Sequence, residues 1–156
     1  MSFTYSSLKT AIQDYTENTE TTFVTHMDDF IKLSEERILK NVQLELFRKN
    51  VTGTMSSSNQ YLAAPSDFLA PFSLSITSSS VKSFLQYKDV NFVQSFNPNS
   101  ATTGTPRYYA LFDITNFIIG PTPDSGYTTE MHYFYRPASL TAAGDSGTTW
   151  LSENAT

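Results

Sequence analysis

Cysteine is absent from the 156 residues, which excludes disulfides, thiolate metal sites, iron–sulfur ligation and cysteine nucleophiles together. Charge is scarce: Asp, Glu, Lys and Arg make up 16% of the chain, ten cations against fifteen anions, for a net charge of −5. A groove that tracks nucleic acid or anionic lipid needs a cationic excess, so neither is expected as a tightly held partner. Histidine occurs only twice, which narrows metal and acid–base options. Long apolar runs are missing too. Clusters such as Phe117-Ile118-Ile119 fall far short of a membrane span. The first nine residues have neither a basic start nor an apolar stretch of signal-peptide length. The expectation is a soluble protein acting where it is made.

Hydroxyls and rings are plentiful: 20 Ser, 21 Thr, nine Tyr and twelve Phe. A surface poor in charge and rich in these residues suits strands and protein contacts better than a free monomer. The length suits one domain.

The first third reads as helix. Tyr5, Leu8, Ile12 and Tyr15 recur at spacings of three and four behind Thr4, a candidate N-cap. A longer amphipathic helix is expected over 22–41, its apolar stripe formed by Phe23, Met27, Phe30, Ile31, Ser34, Ile38 and Val42. Asp28, Lys32, Glu36 and Lys40 form a ladder of alternating sign, read as a solvated face. Leu33 and Leu39 lie off the stripe on opposite flanks, as on a helix that touches neighbours on several sides.

From Leu44 the period shortens to two. Strands are expected near 47–54, 60–63, 72–77, 81–87, 108–112, 116–119 and 127–136, with a short helix near 88–96. Asp113-Ile114-Thr115 reads as a hairpin turn, and the prolines of Gly120–Gly126 forbid ladder donation there. The fold class is α+β: one short and one long N-terminal helix, then an antiparallel β-sheet or small barrel. Within a single domain spanning 1–156, the helical part covers 4–43, the β-rich part 44–137 and a C-terminal tail 138–156. Trp150–Asn154 looks like the entrance to a further helix.

Little here suggests catalysis. His26 and His132 have no second ligand in a recognisable motif. Asp28-Asp29 and Glu35-Glu36 are neutralised by Lys32, Arg37 and Lys40. Gly144-Asp145-Ser146-Gly147 lacks the lysine of a phosphate loop, and no serine sits in a nucleophile elbow. The run Tyr133-Phe134-Tyr135 beside Arg136 could stack sugars or bases, but its alternation favours a core strand. No catalytic, cofactor or metal site is expected.

Several segments, in order, resemble the head-to-tail adaptor (neck) proteins of tailed bacteriophages, particularly short-tailed ones. They are Tyr5–Ile12, Phe30–Ile38, Leu46–Asn50, Tyr61–Leu69, Gly104–Ala110, Ile119–Pro123, Tyr133–Pro137 and Trp150–Asn154. The resemblance implies a non-enzymatic virion protein that forms a homo-oligomeric ring, expected as a dodecamer. It would sit in the neck between the portal protein and the tail nozzle protein, assembled in the host cytoplasm, with DNA crossing its lumen. Similar proteins continue past the Trp150 motif into C-terminal helices; if those contact the portal, the contact here is expected to be shorter or made elsewhere. Leu33, Leu39, Arg48, Lys49 and Arg107 are the candidate interface residues. The alternative from another class is a carbohydrate- or receptor-binding β module, motivated by the tyrosines and polar loops. A small hydrolase is a third.

Overall fold

The computed structural model describes residues 3–42 and 44–150. The chain divides into two compact units, one running to Leu44 and resuming at Arg136, the other Glu45–Tyr135. The helices and the tail, expected as separate stretches, thus belong to one unit.

In the first unit, α1 spans Tyr5–Thr16 and α2 spans Thr21–Asn41. Thr4 caps α1 as expected, its hydroxyl accepting the Ser7 N–H while the Ser7 hydroxyl accepts the Thr4 N–H. The tail supplies further acceptors: Tyr5 and Ser6 donate their N–H groups to the carbonyls of Gly147 and Asp145 at 3.3 and 3.1 Å. Gly144–Gly147 is therefore a helix cap. A turn of 3-10 helix, Leu140–Ala142, packs Leu140 with Tyr5 and Ile31, flanked by Leu8 and Ile12.

The buried face of α2 is Met27, Ile31, Glu35 and Leu39, each four residues from the last. Phe30 and Ser34, expected inside, are exposed. The stripe is rotated because the tail lies against this side. Arg136, Pro137, Ser139 and Trp150 line a hollow with Lys32, Glu35, Glu36 and Leu39. Hydropathy alone could not select a face with a carboxylate at its centre. Of the helix entrance expected at 150–154, only Trp150 lies within the described residues.

The second unit holds β1 (Arg48–Met55), β2 (Tyr61–Ala63), β3 (Phe68–Ser78), β4 (Val81–Tyr87), α3 (Val90–Phe96), β5 (Thr103–Gly104), β6 (Tyr108–Leu111), β7 (Asn116–Gly120), β8 (Thr122–Pro123) and β9 (Tyr127–Tyr135). Seven strands form one sheet in the order β1-β9-β3-β4-β6-β7-β2, a nearly closed barrel. The pairs are antiparallel apart from β4 with β6, where α3 occupies the crossover. β5 and β8 add a small parallel pair inside segments expected as loop. The expected hairpin at 113–115 is present. The Asp113 carboxylate accepts the N–H groups of Thr115 and Asn116 at 2.6 and 2.8 Å, which fixes the turn between β6 and β7.

Alternation along the strands fills the barrel with Leu74, Ile76, Leu85, Tyr109, Phe117, Ile119, Met131 and Tyr133. α3 covers another patch, Val93 packing on Ala110 and Ile118. Gly120 sits under Val93, where a Cβ would lie 3.0 Å from Val93 Cγ1, so a larger residue must push that side chain aside.

Candidate functional site

Both histidines sit in structural contacts. His26 Nδ1 lies 3.2 Å from Asp29, and His132 Nε2 lies 3.4 Å from Glu130. Among the described residues, no group of three or more His, Asp or Glu is placed to hold a metal ion. No helix among them is long and apolar enough to cross a membrane. The tyrosine run does not make a stacking platform. Tyr133 is buried, its ring tilted 31° against Phe68 at 6.0 Å, and donates its hydroxyl to Asp67 at 2.7 Å. Phe134, on the opposite face of β9, is buried as well. A glycan reading based on these rings loses its main support.

The surface carries more information. One feature is an aromatic patch where α3 meets β6. Phe92 and Phe96 stack at 6.2 Å, and both meet Tyr108 edge-on at 5.1 and 4.8 Å. The Lys88 ammonium lies 5.4 Å from the Phe92 ring centre, and both phenylalanines remain exposed. Exposed aromatics are enriched at protein-contact surfaces.

A second feature is the seam of the barrel. β1 and β2 are consecutive, antiparallel to one another, and unpaired. Their loop is tied elsewhere: Ser58 donates to the Pro123 carbonyl at 2.8 Å, and the Gln60 carbonyl accepts from Ile119 at 2.8 Å. The strands therefore stay splayed around a cleft of about 350 Å³. Its lining includes Val51, Thr54, Leu62, Ala63, Pro65 and Met131, with no charged side chain.

The five candidate interface residues separate on this structure. Leu33 is 66% exposed on α2, an apolar side chain with open surface. Leu39 is 5% exposed and belongs to the buried face of its own helix. It offers a neighbour little surface. Arg48, at the start of β1, stacks 4.4 Å from the Phe72 ring centre and pairs with Glu45 at 3.3 Å. Lys49 binds Asp67 at 2.6 Å. Arg107 is exposed before β6, and among the described residues its guanidinium has no ion-pair partner. Sequence reasoning missed the aromatic patch, although Phe92 and Phe96 stand four apart on the expected short helix.

Electrostatics fit a scaffold. Partial burial raises the Asp67 carboxyl, but the Lys49 ammonium and the Tyr133 hydroxyl outweigh it and hold the group below its ordinary value. The Tyr5 hydroxyl does the same for Asp28, assisted by Lys9. Burial pushes the Tyr109 phenol up to about 12, and burial with the Asp67 charge raises Tyr133 further. These shifts come from contacts that hold elements together, and none lies in a catalytic constellation.

No curated protein matches the chain. A family model does, over residues 3–155, and its description is SU10 adaptor protein. That match takes in both compact units, the capped helices and the unclosed barrel alike, and the chain belongs to the SU10 adaptor protein family of structural bacteriophage proteins.

Proposed function

We propose that this adaptor assembles as a closed homo-oligomeric ring, with twelve copies the expected number, in the neck of the virion. It joins the portal protein to the tail nozzle and leaves a channel through which DNA passes, after assembly in the host cytoplasm. Membership of the family supports the adaptor role. The observation that carries the assembly reading is the amount of apolar side chain left uncovered on one copy. Phe72, Phe84, Phe92, Phe96, Leu33 and Ile114 are all exposed in a chain with few charges to keep it apart from its copies.

A ring contact is heterologous: one patch meets a different patch on the next copy, and rotation closes the circle. Leu33, Arg48, Lys49 and Arg107 are proposed contributors, with the Phe92–Phe96–Tyr108 patch added and Leu39 removed. The net charge of −5 supplies too few cations to hold phosphates firmly, which suits a wall that DNA slides past.

The reading is tested on the surface leucine. Leu33→Asp should lower the assembled fraction in light scattering while leaving the thermal midpoint of the dissociated chain unchanged. Unaltered assembly would remove Leu33 from the contact.

A further inference from the structure

Besides β2, which ends the sheet order at the seam, the sheet of the second unit leaves two other edges unpaired, and they differ. One is β1, whose residues Arg48–Thr54 are all exposed, at the lip of the uncharged cleft. The other is the outer half of β4. β4 pairs with β6 only at Gln86 and Tyr87, so Val81–Leu85 pair with β3 alone. The β3–β4 hairpin carries this free edge on the tight Ser79-Ser80 turn, both residues at positive φ. The N–H of Gln86 donates to the Arg107 carbonyl on the β6 side. Backbone groups alternate along a strand, so Lys82 and Phe84 aim theirs the same way, with no strand among the described residues to receive them. Four backbone hydrogen-bonding groups thus stand in a row on an edge that carries exposed Val81 and Phe84.

Unprotected edges of this kind are pairing sites. We infer that β4 of one copy pairs with β1 of the next, so that a continuous β-sheet runs through the subunit contact; this rests on the ring reading above.

Three observations select a second copy as the occupant. The first is direction: three antiparallel steps separate β1 from β4, so the two edges run oppositely. A small rotation between ring neighbours preserves that relation and gives an antiparallel pair. The second is charge. The β1 edge from Asn50 to Thr54 is neutral, and Lys82, the charged residue of β4, is already paired with Glu130. Docking therefore strands no bare charge. The third is facing. The register through β9 and β3 places Val51 and Gly53 on the same sheet face as Met131, Ile76, Ser83 and Val81. It places Thr52, Glu130, Lys82 and Phe84 on the other face. An added β4 would continue both faces without inverting either.

A pairing this short covers far less than the roughly 800 Å² per partner of a stable interface. It acts as the register-setting element of a larger contact.

The cysteine-free chain allows a direct test in full-length protein. Two double variants, Val51→Cys with Ser83→Cys and Thr52→Cys with Phe84→Cys, are oxidised beside the four single variants. Each sample is read by light scattering and on a denaturing, non-reducing gel. The expected result is a ladder of covalent oligomers from at least one double variant and none from the singles. Dimers from a single variant would show like edges meeting and overturn the proposal. Large native particles with no ladder from either double variant would overturn the strand pairing and leave the ring intact. Monomers throughout, with no ladder, would overturn both. As a second measurement, Phe84→Pro removes one outward N–H without touching the bonds to β3. It should reduce assembly at least tenfold with circular dichroism unchanged; full assembly of this variant counts against the pairing.

Discussion

The carboxylate of Glu35, in the middle of α2, accepts the backbone N–H of Leu140 at 2.9 Å across 105 positions of sequence. Beside it, Glu36 holds the Arg136 guanidinium through both carboxylate oxygens, at 2.8 and 3.2 Å. Two adjacent glutamates thus fasten the returning tail to the helix. The Glu36 pair is solvent-accessible and contributes at most about 1 kcal/mol. The Glu35 bond is buried, and it matters more.

Glu35→Ala should destabilise the first unit by about 1–3 kcal/mol, because the Leu140 N–H is left buried without its acceptor. Glu35→Gln keeps an oxygen in place and should lose less. Trp150, the chain's one tryptophan, lines the same hollow, so its fluorescence in a urea titration reports the loss. Equal midpoints for Glu35→Ala and the wild type would contradict the docking.

Gly147 is packed against the preceding turn. A Cβ there would sit 2.0 Å from the Ala143 carbonyl oxygen, so backbone must move to admit it. Gly147→Ala should cost about 1–3 kcal/mol and loosen the cap on α1. A lowered thermal midpoint, with faster amide exchange at Tyr5 and Ser6, is the expected result.

Acid should weaken the fold through Asp67 and Asp28, whose carboxyls are held below their ordinary values. A depressed carboxylate contributes its full stability above the unfolded pKa, near 4, and loses it as pH falls through the folded value. The urea midpoint should therefore decline below about pH 4. Asp67→Asn should give a flatter acid limb and a lower plateau at neutral pH.

Alkali acts through the buried phenols. Tyr109 is raised to about 12 and Tyr133 is raised further, both above the ordinary value near 10. Such groups contribute fully below pH ~10 and lose that contribution as pH climbs through the folded value. Tyrosinate absorbance should rise in a late step that coincides with loss of near-ultraviolet circular dichroism. Tyr133→Phe should shrink that step.

Much of the fold was legible because local signals agreed with the global answer. The Thr4 cap, the alternation through Leu74 and Ile76, the short helix before Pro98 and the turn at Asp113 each follow from neighbours in sequence. The parts that were not legible depend on distant chain. Leu39 looked like an outlier on α2 because the tail that covers its side arrives a hundred residues later. Glu35 read only as half of a neutralised carboxylate pair for the same reason. The parallel β4–β6 pair could not be read from strand patterns, which carry no direction. The splayed seam is set by the Ser58 N–H donating to β8 and the Gln60 carbonyl accepting from β7, and nothing in 48–63 announces it. At the candidate interface, Leu33 was visible as an out-of-place side chain. The free edge of β4 required knowing where β6 stops pairing.

Electron microscopy of the purified protein, alone and on portal particles, tests the central claim most directly. Closed, rotationally symmetric rings with an open channel, seated between portal and tail, are the expected result. A monomer in both preparations, or one that binds glycans with measurable affinity, would contradict it.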